Sequence, residues 1–176
     1  MLKYTVISIS FILLISKTVN ASIYIERIAE DSFFNVKEDI TMAIAGQGLI
    51  IAHHSDVATM LNRTTKDLAR QTFNMMANIM PITPFRKQKV KTTYRHGVVI
   101  EFCSASLSAE TTAADPNNIL FCPFSIAIFQ LNNEPNQVHV SYLRLSQFAD
   151  ADNPQSVVAL TKVENMLAEI VVEALD

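Results

Sequence analysis

The sequence has few of the residues that mark specialised protein classes. Its 176 residues include no tryptophan, three glycines, six prolines and two cysteines. So little glycine and proline excludes collagen and low-complexity chains, and 49% hydrophobic residues exclude an intrinsically disordered chain. Fourteen basic residues against 17 acidic ones give a net charge of −3, which leaves no positive surplus for neutralising phosphates. We therefore expect no nucleic-acid partner.

Familiar catalytic motifs are also missing. The sequence contains no Gly-x-Ser-x-Gly, no phosphate-binding glycine loop and no Gly-x-Gly-x-x-Gly. Its four histidines form no His-Glu-x-x-His motif, and its acidic residues have no spacing that suggests a catalytic pair. The sequence favours a non-enzymatic protein without deciding the question, and it predicts no cofactor.

The first 21 residues have the organisation of a secretory signal peptide. Lys3 supplies the positive start, residues 4–15 are mostly apolar, and Val19-Asn20-Ala21 resembles a cleavage site. The apolar run is shorter than the roughly 20 residues of a transmembrane helix. We expect cleavage after Ala21, a periplasmic or secreted mature chain of residues 22–176, and no transmembrane segment in that chain.

The mature chain alternates between strand and helix patterns, which predicts a single α+β domain. The order is strand, helix, strand, helix, strand, short helix, hairpin and a long C-terminal helix. That last helix is the clearest, because Asn153 is a good cap and Pro154 suits the first helical position. We expect a mixed or antiparallel sheet backed by helices. The predicted core stripe of the last helix consists of Leu160, Val163, Leu167, Ile170 and Ala174.

Two earlier helices carry further expectations. Asn35, with Glu38 three residues later, predicts the start of the first helix. In the second helix, from Asn62, an apolar stripe predicts core packing, and a basic stretch at 86–91 favours a solvated loop or edge strand over a binding patch. The stripe is formed by Ala69, Phe73, Met76 and Met80.

Two segments around the cysteines carry a family resemblance. Glu101-Phe102-Cys103 and Leu120-Phe121-Cys122-Pro123, together with Gln47-Gly48-Leu49-Ile50-Ile51, Asp56 and Asp115-Pro116, are similar to motifs of the domain of unknown function 302 family. The resemblance covers residues 23–175. It implies a compact α+β domain, often self-associating, with no assigned role and no catalytic residues to carry over. The chain departs from the family in Ser104-Ala105, in Phe121 and in a longer stretch, an insertion at about residues 62–90.

The cysteines leave three interpretations open. Cys103 and Cys122 each lie at the edge of a predicted strand, so the two are expected to be neighbours. In an exported protein a structural disulfide is the favoured interpretation. A redox pair and a soft-metal site for Cu(I) or Zn(II) are the alternatives.

A second cluster of polar side chains follows the second strand. His53, His54 and Asp56, with the two cysteines, form the candidate ligand or metal site. Adjacent residues of a strand point to opposite faces, so the two histidines do not bind one ion unless the chain turns there. The sequence thus predicts an exported module that binds a small ligand or a protein partner, and it leaves room for a homodimer. The alternative is a metal- or redox-linked periplasmic protein that uses Cys103 and Cys122.

Overall fold

A computed structural model describes residues 22–79 and 91–176, with side chains described for residues 22–76 and 91–176. Within these residues, five strands form one antiparallel sheet in the order β1-β5-β4-β3-β2. The strands are β1 Tyr24–Ala29, β2 Ile50–Ser55, β3 Tyr94–Cys103, β4 Phe124–Leu131 and β5 Val138–Leu143. The helices are α1 Phe33–Gly46, α2 Val57–Ile79, α3 Ala105–Ala114 and α4 Pro154–Leu175. The α+β class and the long C-terminal helix are as predicted, and the sheet is antiparallel.

The hydrophobic core lies between one face of the sheet and the helices α1 and α4. Alternate residues of the three central strands are buried on that face, as Ile100, Ile126 and Val140 illustrate. They pack against a stripe on α4, in which Leu160, Val163, Leu167 and Ile170 are all at most 1% exposed. Burial of this stripe confirms the amphipathic pattern of the last helix. Asn153 caps that helix by accepting a hydrogen bond from the backbone N–H of Ser156 at 3.1 Å.

Helix α1 begins earlier than the sequence pattern predicts. Ser32 is the N-cap, and its hydroxyl accepts a hydrogen bond from the backbone N–H of Asn35 at 3.1 Å. The predicted cap at Asn35 is therefore wrong by three residues. Serine and asparagine are both favourable caps, and burial of Phe33 against the core places the helix start at the first of them. The helix ends at Gly46, and Gly48 turns the chain toward β2 with a φ of +71°, in the left-handed region that glycine tolerates.

Helix α2 follows β2 directly and contacts the sheet over β3. Ala58 is buried opposite Gly97, where a Cβ atom would come within 3.2 Å of the Ala58 Cβ. Glycine at position 97 therefore allows the first turn of α2 to approach the sheet closely. The predicted core role of the α2 stripe is wrong for Met76, which is 49% exposed, whereas Ala69 and Phe73 are half-buried.

Some of the sequence predictions concern residues outside the described part of the chain. These are the predicted signal peptide at 1–21, Met80 and the basic stretch up to residue 90, which belongs to the predicted insertion at 62–90. Among the helices that the structure does describe, none combines the length and apolar character needed to cross a membrane.

Candidate functional site

A cavity of about 230 Å³ opens where the first turns of α1 and α2 meet the end of β2 and the start of β3. We call it the corner cavity. The end of β2 and the start of α2 meet at this cavity because only Asp56 separates the two elements. Its wall is made of Phe33, Phe34, Lys37, His54, Asp56, Ala58, Thr59, Arg95, His96, Gly97 and Val98.

Asp56 forms the α2 side of the corner cavity and has a structural role there. Its carboxylate accepts a hydrogen bond from the backbone N–H of Thr59 at 3.0 Å, which is N-cap geometry. That hydrogen bond, a second one from the Thr59 side chain and the nearby His96 and Lys37 lower the pKa of Asp56 below its usual value. The carboxylate is therefore ionised at neutral pH, and its charge is directed at the helix start.

His54, near the end of β2, contributes an imidazole to the wall of the corner cavity. Burial lowers the pKa of His54, and the charges of Lys37 and His53 lower it further. The smaller part of that lowering is repulsion from the Lys37 ammonium and the His53 imidazole. A negatively charged ligand would relieve that repulsion.

Three aromatic rings line the side of the corner cavity nearest α1. The His96 ring stacks on Phe33 at a centroid distance of 5.1 Å with 22° between the planes. Phe34 contacts His96 at 5.4 Å with its ring tilted by 60°. Phe33 is buried, but Phe34 is 66% exposed, which leaves an apolar ring uncovered at the rim.

The cations of the corner cavity are free to bind a ligand. Neither Lys37 nor Arg95 makes a side-chain hydrogen bond or ion pair to any residue that the structure describes. Arg95 and His96 also line a neighbouring cleft that contains Glu30 and Asp31. The Asp31 carboxylate is already engaged, because it accepts hydrogen bonds from the Ser32 backbone N–H at 2.5 Å and the Asn35 side chain at 3.0 Å.

The two adjacent histidines of the predicted site lie on opposite faces of the sheet. His53 pairs with Glu101, whereas His54 pairs with the buried Ile100 on the helix-covered face. An irregularity in the β2 register between Ile51 and His53 precedes them. Of the five predicted site residues, His54 and Asp56 therefore share the corner cavity, and His53 does not line it.

The two cysteines are also separated by the sheet. Cys103 alternates with the buried Phe102 and so faces away from the core, opposite the exposed Ile50. Cys122 packs against the core on the helix side, and its thiol donates to the Ser108 hydroxyl at 3.5 Å. Both cysteines are free, so the structure does not show the expected disulfide. The sequence places both residues at strand ends but does not reveal the face on which each thiol lies.

Sequence reasoning missed most of the corner cavity. Phe33, Phe34, Lys37 and Arg95 did not stand out, because each is ordinary in its local pattern. One usable signal is Arg95-His96-Gly97, where a glycine at the start of a strand indicates close approach of another element. Of the residues that the structure describes, no three histidines, cysteines or acids are grouped closely enough to hold a metal ion.

A second polar cluster lies on the opposite face of the sheet and links β1, β5 and the β4–β5 loop. The two ring nitrogens of His139 lie 3.1 Å from Glu26 Oε1 and 3.0 Å from Glu134 Oε2. The ring stacks on Phe129 at 4.8 Å with 3° between the planes. His139 is only 7% exposed and both of its ring nitrogens contact a carboxylate, so this cluster has a structural role.

Comparisons with known proteins give a family and a fold. The model of the family described as "Domain of unknown function DUF302" matches residues 49–174. The chain is also similar to a solved structure, the uncharacterized conserved protein DUF302 from Bacillus stearothermophilus. The TM-score is 0.65 at 11% identity, over 88% of this chain and 99% of that one. No curated protein matches the sequence significantly.

Proposed function

Since the chain belongs to the DUF302 family, whose description assigns no activity, we propose its function from the corner cavity: it is an exported, non-enzymatic module that binds a small ligand. The observation that carries this proposal is the convergence of Lys37, His54, Arg95 and His96 on one cavity that also has an aromatic wall. Cationic groups placed together repel one another and lower stability unless a ligand or solvent compensates them. Such an arrangement is typical of a binding site.

A binding role is favoured over catalysis by the roles of the polar groups in the corner cavity. Asp56, its one carboxylate, caps α2 and is ionised, so it is poorly suited to act as a proton donor at neutral pH. The wall contains no serine or cysteine, and its one hydroxyl, on Thr59, is engaged with Asp56 at the helix cap. The remaining polar groups are two cations and two imidazoles, which together with the aromatic rings can bind and orient a ligand.

Export rests on the organisation of residues 1–21, and it fits the position of the first strand. β1 begins at Tyr24, three residues after the predicted cleavage site at Ala21. Cleavage there would leave Ser22, whose carbonyl accepts a hydrogen bond from Arg144 Nε at 3.1 Å. The mature chain would therefore keep every contact described above.

The metal- or redox-linked alternative is not favoured by any observation. It requires Cys103 and Cys122 to act together, and the sheet lies between them. We therefore propose no reaction for the thiols.

The test is a titration of the purified protein with four probes, followed by two-dimensional NMR of the backbone amides. The probes are benzoate, benzamide, benzylamine and inorganic phosphate. At least one should shift the amides around Phe34, His54 and Gly97, and Thr59→Trp should abolish those shifts by filling the cavity. Thr72→Trp, an exposed threonine farther along α2, is the matched control and should leave binding unchanged. If all four probes leave these amides unshifted, or if Thr72→Trp blocks binding equally well, the corner cavity is not a ligand site.

A further inference from the structure

We infer that the ligand of the corner cavity is a small aromatic carboxylate. This inference rests on the proposed function and specifies the chemistry that the cavity would recognise. Four of its features point to that chemistry: volume, charge, the shape of the charged groups and the uncovered ring.

The volume of the corner cavity limits the ligand to a small molecule. About 230 Å³ corresponds to roughly eight water molecules at about 30 Å³ each. A single six-membered ring with one carboxylate group matches that size. A nucleotide or a folded peptide segment would not fit inside it.

The charges that line the cavity select an anion. Lys37 and Arg95 are positive at neutral pH, and His54 and His96 add imidazole nitrogens that can donate hydrogen bonds. Asp56 is the one carboxylate in the wall, and the start of α2 compensates its charge. The whole chain is acidic, with a net charge of −3, so this local excess of cations is not a consequence of composition.

The geometry of the cationic groups favours a carboxylate over a spherical anion. The guanidinium group of Arg95 is planar, and its paired N–H groups match the two oxygens of a carboxylate. Lys37 of α1 lines the same cavity and can add a point charge to the neutralisation of that group. Neither cation is paired within the described residues, so binding would not require an existing ion pair to break.

The aromatic wall selects the rest of the ligand. Phe33 and His96 already form a stacked pair, and Phe34 stands beside them with 66% of its surface exposed. A flat ring that enters the cavity would cover Phe34 and extend the stack. Aromatic pairs add about 0.5–1.5 kcal/mol beyond the burial of apolar area, so a planar ring should bind more tightly than an aliphatic one.

The experiment compares probes that differ in one property each. Isothermal titration of the purified protein should give benzoate an affinity at least tenfold above that of benzamide, its neutral counterpart, and above that of inorganic phosphate. Cyclohexanecarboxylate, which has the charge without the flat ring, should bind several-fold more weakly. Arg95→Gln should lower benzoate affinity about tenfold and leave benzamide affinity unchanged. Lys66→Gln, an exposed cation on α2 outside the cavity wall, is the control and should change neither.

The other possible outcomes show whether only the aromatic-carboxylate inference fails or the proposed binding function fails with it. If benzamide or benzylamine binds as well as benzoate and Thr59→Trp abolishes that binding, the cavity is a ligand site but does not select anions. If phosphate or cyclohexanecarboxylate equals benzoate, the aromatic part of the inference is wrong. If no probe binds in a way that Thr59→Trp abolishes, both the inference and the proposed function fail.

Discussion

At the scale of single residues, Asp56 illustrates how one side chain can serve both fold and site. Its carboxylate caps α2 and so fixes the helix start that forms one wall of the corner cavity. Without the cap, the first turn of α2 would lose a hydrogen-bond acceptor next to Ala58, which packs on Gly97. The shape of the corner cavity therefore depends on this helix cap, which the sequence analysis did not predict at Asp56.

We predict that Asp56→Ala lowers the free energy of unfolding by about 1 kcal/mol at neutral pH, the usual cost of losing a helix cap. Asp56→Asn, which keeps the oxygen acceptor, should retain most of that stability. The pKa of Asp56 is lowered by folding, so its contribution is present above the unfolded-state pKa of 3.8 and is lost as pH falls further. Urea unfolding at about pH 7 and about pH 3 measures this. A difference between wild type and Asp56→Ala that stays constant between these pH values would contradict the assignment.

A second prediction concerns His139, whose ring joins Glu26 of β1 to Glu134 of the β4–β5 loop. Phenylalanine at this position would keep the stack on Phe129 but remove the contact that each carboxylate makes with the imidazole, leaving Glu26 with Ser141 and Glu134 with Asn133. We expect His139→Phe to lower the free energy of unfolding by about 1–2 kcal/mol. Leaving a fully buried polar group unpaired costs more, but both glutamates are partly exposed to solvent.

His53→Phe is the matched control for that measurement. His53 lies on the exposed edge strand β2, where a substitution should change stability by no more than about 0.5 kcal/mol. Equal unfolding free energies for the two variants would show that the carboxylate contacts of His139 contribute nothing.

At the scale of elements, the helices α2 and α4 are similar in length but differ in environment. Both are longer than 20 residues and carry an apolar stripe, yet α4 covers the sheet and α2 contacts it over β3. Leu167 on α4 is 1% exposed, whereas Leu68 on α2 is 58% exposed. Three threonines of α2 direct their hydroxyls to backbone carbonyls of the helix itself, which leaves their methyl groups on its surface.

This difference gives a matched test of the core. Leu167→Ala should lower the free energy of unfolding by about 2–5 kcal/mol, because it leaves a cavity between α4 and the sheet. Leu68→Ala, the same change on α2, should stay within about 0.5 kcal/mol of wild type. Thermal or urea unfolding of both variants measures the difference. A comparable loss for Leu68→Ala would mean that the surface of α2 around Leu68 is covered in solution.

These contrasts show what the sequence could and could not predict. The 3.6-residue period of α4 and its cap at Asn153 predicted a real element, because burial in that segment follows local pattern. The α2 stripe was misleading at Met76, which is exposed, since periodicity reports an apolar face but not what covers it. The corner cavity depends on contacts between residues that are distant in the chain, such as His96 and Phe33, and no local pattern encodes those.

At the scale of the whole molecule, the sheet separates two environments. One face is covered by α1 and α4 and holds the core, and the corner cavity opens at one end of that arrangement. The other face carries the His139 cluster and Cys103. A sheet with a fixed antiparallel register assigns each residue of a strand to one of these faces. This explains why residues that are close in sequence, such as His53 and His54, have different surroundings.

The same separation leads to a prediction about the thiols in an exported protein. Cys103 and Cys122 lie on opposite sides of the sheet, so joining them would require strands of the core to move. We expect protein purified from an oxidising compartment without reductant to carry two free thiols. Alkylation of the unfolded, unreduced protein should then add two alkyl groups to its intact mass, and prior reduction should add no more. A mass that lacks two hydrogens and gains alkyl groups only after reduction would restore the disulfide that the sequence suggests. In that case the ends of β3 and β4 would have to be rearranged in the exported protein.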